Sequence, residues 1–332
     1  MKKIIIDVMG SDLGPQPAIE SCAKFSSYNN DVHFILVGDK EQIKKHIKNL
    51  KKYKFNNYEI ISTTEVIEMS EGITAFRRKK DSSMTRALEM LKDEKGDAVI
   101  SAGSTAAFLS GAHFLIGELE GVTRPGFMPF LPTLIKNKVM NLIDVGANLE
   151  NKPEDLLKFA LMATVYHQEI LNNEKPLVGL LNIGTEETKG LELHKETYKL
   201  LKSNEKINFH GNIEPRDITS GFIDIVVCDG YTGNMVLKSL EGIAYNLIKG
   251  LKTELTKSFF TKLKVLPIKN NLKAFGEIFD YKNNAAAILM GAKKPVIKTH
   301  GSSDLKSFMA TLKLTYNVLD KNVIDKIKEN IS

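Results

Sequence analysis

The sequence predicts an α/β protein: a mainly parallel sheet flanked by helices, with a helical hairpin protruding from it. Three observations predict this. Short apolar runs alternate with amphipathic stretches along most of the chain, polar and glycine residues collect where those runs finish, and no repeat or low-complexity linker divides the 332 residues. Strand followed by helix, again and again, implies right-handed crossovers between parallel strands. Residues 1–332 are therefore read as a single α/β domain, with the hairpin embedded at 236–280.

The elements follow in order. Residues 4–8 read as the first strand, Ile4-Ile5-Ile6 being wholly apolar as in a strand covered on both faces. Helix is expected at 17–26, then strands at 32–37 and 59–62. The charge run Arg77-Arg78-Lys79-Lys80 leads into Asp81-Ser82-Ser83, a helix cap for 83–92. Strand 98–101, helix 106–119, strand 140–145 and helix 153–171 come next, then strand 177–183, helix 191–201 and strand 207–210. Strand 223–228, helix 236–255, strand 296–299 and a mostly helical tail over 304–328 complete the series.

The stretch 224–238 is the most informative. Ile225 to Cys228 is apolar, Asp229-Gly230 ends the strand in a sharp turn, and Gly233 suits close approach of backbone to a ligand. Thr232 and Asn234 are expected to cap the next helix, whose free N–H groups form an anion site. Beyond Leu237 the apolar positions Leu240, Ile243, Ala244, Leu247, Ile248, Leu251, Leu255 and Phe259 recur at helical spacing. Phe260, Leu263, Val265, Leu266 and Ile268 follow, interleaved with Lys257, Lys262, Lys264, Lys269 and Lys273. Such a hairpin packs on the body or a second subunit, or rests a basic amphipathic tip on anionic lipid.

Composition sets bounds. Hydrophobic content of 42% and charged content of 26% fit a globular protein with a sizeable core. A formal charge of +6 suits acidic protein partners, anionic substrates or an anionic membrane surface. Nucleic acid is not expected, because the lysines are scattered and Trp is absent. The only cysteines, Cys22 and Cys228, exclude a disulfide scaffold and point to a reducing cytoplasm. Three apolar residues at the N-terminus are too few for a signal-peptide core, and no run approaches the roughly 20 needed to span a bilayer.

Candidate chemistry gathers at the strand ends: Asp7 with Gly10-Ser11-Asp12, Ser101 to Thr105, Asp144 to Asn148, Asn182 to Glu187, Asp229 to Asn234, and Thr299 to Ser303. In an open parallel sheet the ligand crevice lies at the carboxyl ends of the strands. Gly103-Ser104-Thr105, Tyr231-Thr232-Gly233 and Gly301-Ser302-Ser303 pair glycine with hydroxyls, as phosphate holders or as ordinary caps. Neither dinucleotide-binding nor P-loop spacing occurs at these turns. Lys189 directs charge into the crevice or is a surface lysine; His300 is a structural histidine or an acid/base. Arg77 to Lys80 is a solvated run or a docking point for an acidic carrier. Burial among valines makes Cys228 a poor nucleophile.

The order of these motifs resembles a known family. Arg78 to Ser83, Ser101-Ala102-Gly103, Arg124-Pro125, Leu131-Pro132-Thr133, Asp144 to Asn148, Gly179 to Glu187, Gly211 to Asp217, Val226 to Asn234 and His300 to Ser303 match, in that order, the phosphate acyltransferases of bacterial phospholipid synthesis. The resemblance implies a fold like the isocitrate/isopropylmalate dehydrogenases and phosphotransacetylases, and a homodimer. It implies fatty acyl transfer from acyl carrier protein to inorganic phosphate without a cofactor or metal. The acyl phosphate would pass to a membrane glycerol-3-phosphate acyltransferase, and the tip at about 255–268 would hold a cytoplasmic enzyme peripherally on the membrane. The chain departs from the family at Ser11, at Ser104 and Ala106, and at Ala285-Ala286.

On this reading phosphate attacks the thioester carbonyl directly, aided by positioning and electrostatics. Lys189 is expected to stabilise developing charge, Asn182, Thr232, Asn234 and Ser302 to orient reactants, and His300 to protonate the departing thiol. Phosphate and substrate contacts are assigned to Asp7, Gly10, Gly103, Ser104, Thr105, Asp144, Asn148, Gly184, Glu186, Asp229, Gly233 and Gly301, together with Thr232, Asn234 and Ser302. The competing readings are a metal- and NAD-dependent decarboxylating dehydrogenase of the same architecture and a non-catalytic membrane scaffold.

Overall fold

The computed structural model describes residues 1–278 and 286–331. Its strands are β1 (Lys2–Asp7), β2 (Val32–Gly38), β3 (Tyr58–Ser62), β4 (Ala98–Ser101), β5 (Gly126–Pro132), β6 (Val139–Ile143), β7 (Leu177–Leu181), β8 (Asn208–Ile213), β9 (Ile225–Val227), β10 (Ala286–Met290) and β11 (Val296–Thr299). The helices are α1 (Gln16–Ser26), α2 (Lys40–Lys48), α3 (Ala75–Arg78), α4 (Ser83–Lys92), α5 (Thr105–Leu115) and α6 (Pro153–Leu171), then α7 (Glu192–Ser203), α8 (Gly230–Thr256), α9 (Phe259–Val265), α10 (Lys269–Ile278), α11 (Leu305–Asp320) and α12 (Val323–Ile331).

All eleven described strands join one sheet in the order β3-β2-β1-β4-β11-β10-β5-β6-β9-β7-β8. Alternation along β1 shows how it is covered. Ile4 and Ile6 face a core with α1, α6 and α11, including Phe159, Tyr166 and Phe308. Ile5 faces the opposite core, with Met84, Leu88 and Phe108 of α4 and α5. Ser82 caps α4 by accepting the Thr85 N–H, as expected. The sequence reading misses α2, which buries only Ile43 and so carries a weak apolar stripe.

The two strands it misses have the larger consequence. β5 contains two prolines and a glycine, residues depleted in strands, and the short apolar run of β10 is ambiguous with helix. β10 is antiparallel to both β11 and β5, and β5 is antiparallel to β6. The remaining pairings are parallel, so β6, β7, β8 and β9 run opposite to β1, β2, β3, β4 and β11. The strand-end loops therefore leave from opposite ends of the sheet's two halves, not from one crest.

α8 spans both halves. At 27 residues it is roughly 40 Å long. Val236, Leu237 and Leu240 pack on the core, whereas Ile243, Leu247 and Leu251 are exposed. α9 and α10 follow; of the expected hairpin, Phe279 and Asp280 lie outside the described residues, as do the neighbouring Tyr281 and Ala285.

Candidate active site

One group of site residues is built on β1, β4 and β11. Asp7 pairs with Ser101, and Ser101 with Lys298, at one level of three adjacent parallel strands, so their side chains share a face. All three are buried. The Ser101 hydroxyl donates to Asp7 Oδ2 at 2.7 Å, the Met9 N–H donates to Asp7 Oδ1, and the Lys298 ammonium donates to the Thr299 carbonyl. Burial raises the Asp7 carboxyl above its ordinary range, against the pull of Ser83, Ser101 and the Lys298 charge. Burial likewise lowers the Lys298 amine to about 8, while Asp7 and Asp12 act the other way. The sequence reading did not single out Lys298. Its signal was a charge inside the apolar run Val296-Ile297-Lys298, which a strand covered on both faces accepts only with a partner.

Loops from the same strand ends interlock. The Ser11 hydroxyl and the Asp12 N–H both donate to the Gly301 carbonyl, at 3.1 and 2.9 Å. A Cβ on Gly10 would lie 2.6 Å from the Gly103 Cα, so these glycines serve backbone packed on backbone. Ser104 caps α5 and donates to the Glu71 carbonyl at 2.7 Å, while Thr105 begins the helix at the surface. His300 is exposed. Its Nδ1 accepts the Ser302 N–H at 3.2 Å and lies 2.8 Å from the Ser302 hydroxyl, which leaves Nε2 as the protonated nitrogen of the neutral ring. Partial desolvation of the ring, then the Lys298 charge, lowers its pKa.

The second group lies at the ends of β6 and β9. Asp144 is fully buried and gathers the N–H groups of Phe127, Gly146, Ala147 and Asn148, with the Asn148 side-chain amide as a fifth donor. The Asn148 amide also donates to the Pro125 carbonyl. Burial still pushes the Asp144 carboxyl upward. Both residues thus hold the 144–148 loop, and their polar atoms are committed to the protein. Asp229, not Thr232 or Asn234, caps α8, accepting the Thr232 N–H at 2.9 Å. A Cβ on Gly233 would sit 1.9 Å from the Asp144 carbonyl oxygen, so the close approach is to the protein's own backbone. Burial of Cys228 raises its thiol pKa, as expected, and its Sγ lies 3.2 Å from the Asp144 carbonyl.

The third group follows β7. Asn182 donates to the Lys189 carbonyl at 3.1 Å and accepts the Ile183 N–H at 2.8 Å, which closes the 182–190 loop. Asn212 donates to the Glu186 carbonyl and steadies it from β8. A Cβ on Gly184 would meet the Glu186 carboxylate and the Lys189 stem, whereas Lys189 and Glu186 themselves are exposed. Asn182 therefore positions Lys189 and spends its amide doing so.

α8 brings the groups toward one another. Its start lies beside Asp144, and Asn234 packs against Gly146. Asp229 is near enough to act on His194 at the third loop, and two turns along α8 Lys238 and Glu241 act on His300 across the sheet reversal. What faces outward is mixed: exposed Lys189 and Glu186, exposed Lys238 paired with Glu241 at 2.7 Å, and the neutral His300 ring, together with half-buried Thr232 and Ser302. Among the described residues no group of three or more His, Cys, Asp or Glu side chains is placed to hold a metal ion.

Comparison with known proteins identifies the family. The sequence profile of the fatty acid synthesis protein family matches residues 2–326. Proteins named phosphate acyltransferase from Mesoplasma florum and Clostridium tetani are 49% and 43% identical, covering 100% and 99% of this chain and 100% and 98% of their own. Among solved structures, the EutD phosphotransacetylase of Staphylococcus aureus matches with a TM-score of 0.60 at 14% identity, over 95% of this chain and 93% of that one. A branched-chain phosphotransacylase of Enterococcus faecalis gives 0.59 at 16% identity, over 96% and 98%. At these identities the structural likeness concerns the fold alone.

Proposed function

The chain belongs to the fatty acid synthesis protein family, and we propose that it transfers a fatty acyl group from acyl carrier protein to inorganic phosphate, forming acyl phosphate for phospholipid synthesis. Near-half identity to phosphate acyltransferases over the full chain carries this reading. A phosphate oxygen attacks the thioester carbonyl carbon. The C–O bond forms, the C–S bond breaks, and the sulfur leaves as thiolate, which takes up the proton of dihydrogen phosphate; acyl phosphate and free thiol result.

The protein's part is positioning and charge. Lys189, presented by its closed loop, offsets the negative charge gathering on phosphate and carbonyl oxygen. Thr232, Asn234 and Ser302 orient the reactants, and His300 gives its Nε2 proton to sulfur while Nδ1 takes up the phosphate's proton through the Ser302 hydroxyl, 2.8 Å away. The buried carboxylates Asp7 and Asp144 hold the loops, and Asp229 already occupies the end of α8. Cationic side chains, more than that helix's amides, therefore draw the phosphate.

Phosphate-dependent release of free carrier thiol from palmitoyl carrier protein tests the reading directly. No release at millimolar phosphate would refute it.

The hairpin supports a peripheral membrane contact and a homodimer. Past its first turns α8 is exposed, and a helix of that kind takes its stability from cover. Phe259 and Phe260 are 71% and 75% exposed beside Lys257, Lys262 and Lys264, a composition suited to an anionic lipid surface. No helix of the described residues is long and apolar enough to cross a membrane. Dimerisation covers the stripe Ile243, Leu247 and Leu251, and sedimentation velocity reads it: a monomer at micromolar concentration would refute it. The acyl phosphate, released at the bilayer, would reach a membrane glycerol-3-phosphate acyltransferase.

A further inference from the structure

The cationic run at 77–80 has a specific geometry that the mechanism does not use. Lys79 is turned inward, donating to the Val66 carbonyl and pairing with Glu71 at 2.6 Å. Arg78 is exposed and only loosely paired with Glu71, at 3.8 Å. Arg77 stacks over Phe114 of α5, its guanidinium 4.2 Å from the ring centroid. Phe114 in turn stacks on Phe76 at 5.9 Å and 19°. Phe114 is nonetheless 56% exposed, and Ile73 and Met69 are exposed on the loop that leads into α3. A guanidinium held on a half-exposed aromatic, with further cations at Arg78 and Lys80, is the make-up of an interface anchor rather than of a solvated face.

The platform is continuous with the candidate site. Its loop is tied to the α5 cap by the Ser104–Glu71 bond, and Met69 touches Gly301. From Thr105 to Phe114 is nine residues of helix, about 14 Å at 1.5 Å per residue. A partner seated on Phe114 and Arg77 is thus set back from the α5 N-terminus by the span that a long flexible thioester arm has to bridge.

We propose that α3, its leading loop and the end of α5 form the docking surface for an acidic carrier protein, with Arg77, Arg78 and Lys80 meeting its carboxylates and Phe114 its apolar residues. The proposal rests on the functional reading above. The positive charge matches such a partner, although Glu68 on the rim opposes it. A lipid surface is disfavoured, because the apolar residues here are split by pinned charge while the hairpin tip offers a broader apolar face.

The test uses two donors with the same acyl thioester, palmitoyl carrier protein and palmitoyl pantetheine, against the full-length protein. In the triple variant Arg77→Glu/Arg78→Glu/Lys80→Glu, kcat/KM with the carrier falls about tenfold or more while the pantetheine rate stays within about twofold, and the salt dependence of the carrier reaction disappears. Lys80→Glu alone gives a smaller loss of the same kind. Equal losses with both donors, or none with the carrier, overturn the docking site. A variant that keeps carrier kinetics but no longer sediments with anionic vesicles assigns the patch to lipid and also overturns it. A wild type inert toward both donors refutes the functional reading itself, a separable result.

Discussion

His167 offers a quantitative test of the packing. It lies on α6, 1% exposed, and neither ring nitrogen has a hydrogen-bond partner among the described residues. The Asp224 backbone comes near without forming a bond, and the Asp224 carboxylate is itself paired with Lys138 at 2.9 Å. Burial lowers the His167 pKa to about 4. Unfolded, the ring titrates near 6.5, so between these values the unfolded chain holds the extra proton and stability rises with pH. The gap is worth about 3 kcal/mol in full, and about 2 kcal/mol of it is lost between pH 7 and pH 5. Leucine has similar volume and no polar atoms to leave unpaired. His167→Leu should therefore match or exceed wild-type stability at pH 7, and should lose about 2 kcal/mol less on acidification. Urea unfolding at both pH values measures this. Parallel losses in the two proteins would refute the assignment of His167 as a neutral, unpartnered buried ring.

Four further outcomes follow from the site. Lys189→Ala should cut turnover about a hundredfold or more with an unchanged urea midpoint, since the side chain is exposed; near-normal turnover removes it from the site. Gly233→Ala forces α8 away from the Asp144 carbonyl and should cost about 3 kcal/mol or more by denaturant titration, well above the helix-propensity gain of under about 1 kcal/mol. For Lys298 the folded pKa of about 8 lies below the unfolded value near 10.4, so its burial penalty is full below pH 8 and relieved as pH rises through that window. From pH 7.5 to 9.5 wild type should gain about 2 kcal/mol relative to Lys298→Met in urea unfolding, and equal pH slopes would count against the buried amine. Phe259→Asp/Phe260→Asp should abolish co-sedimentation with anionic vesicles while leaving thiol release intact, and unaltered sedimentation would remove the hairpin tip from the membrane.

Local chemistry made much of this protein legible in its residues. Three consecutive isoleucines required cover on both faces, a serine ahead of an amphipathic stretch became the α4 cap, and a cysteine among valines became inert, because each outcome depends on neighbours a few positions away. The ordered run of motifs also pointed to the family to which the chain belongs. Tertiary structure alone decided the rest. The antiparallel β5 and β10 turned half the sheet around, which no propensity encodes, since β10 lies between β11 and a β5 that is more than a hundred residues away. Pairing of strands distant in the chain put Asp7 and Ser101 in line with Lys298. It also pressed Gly233 onto the Asp144 carbonyl. A sequence shows which side chains seek cover or a charge partner; only the packed chain determines which residue meets that need.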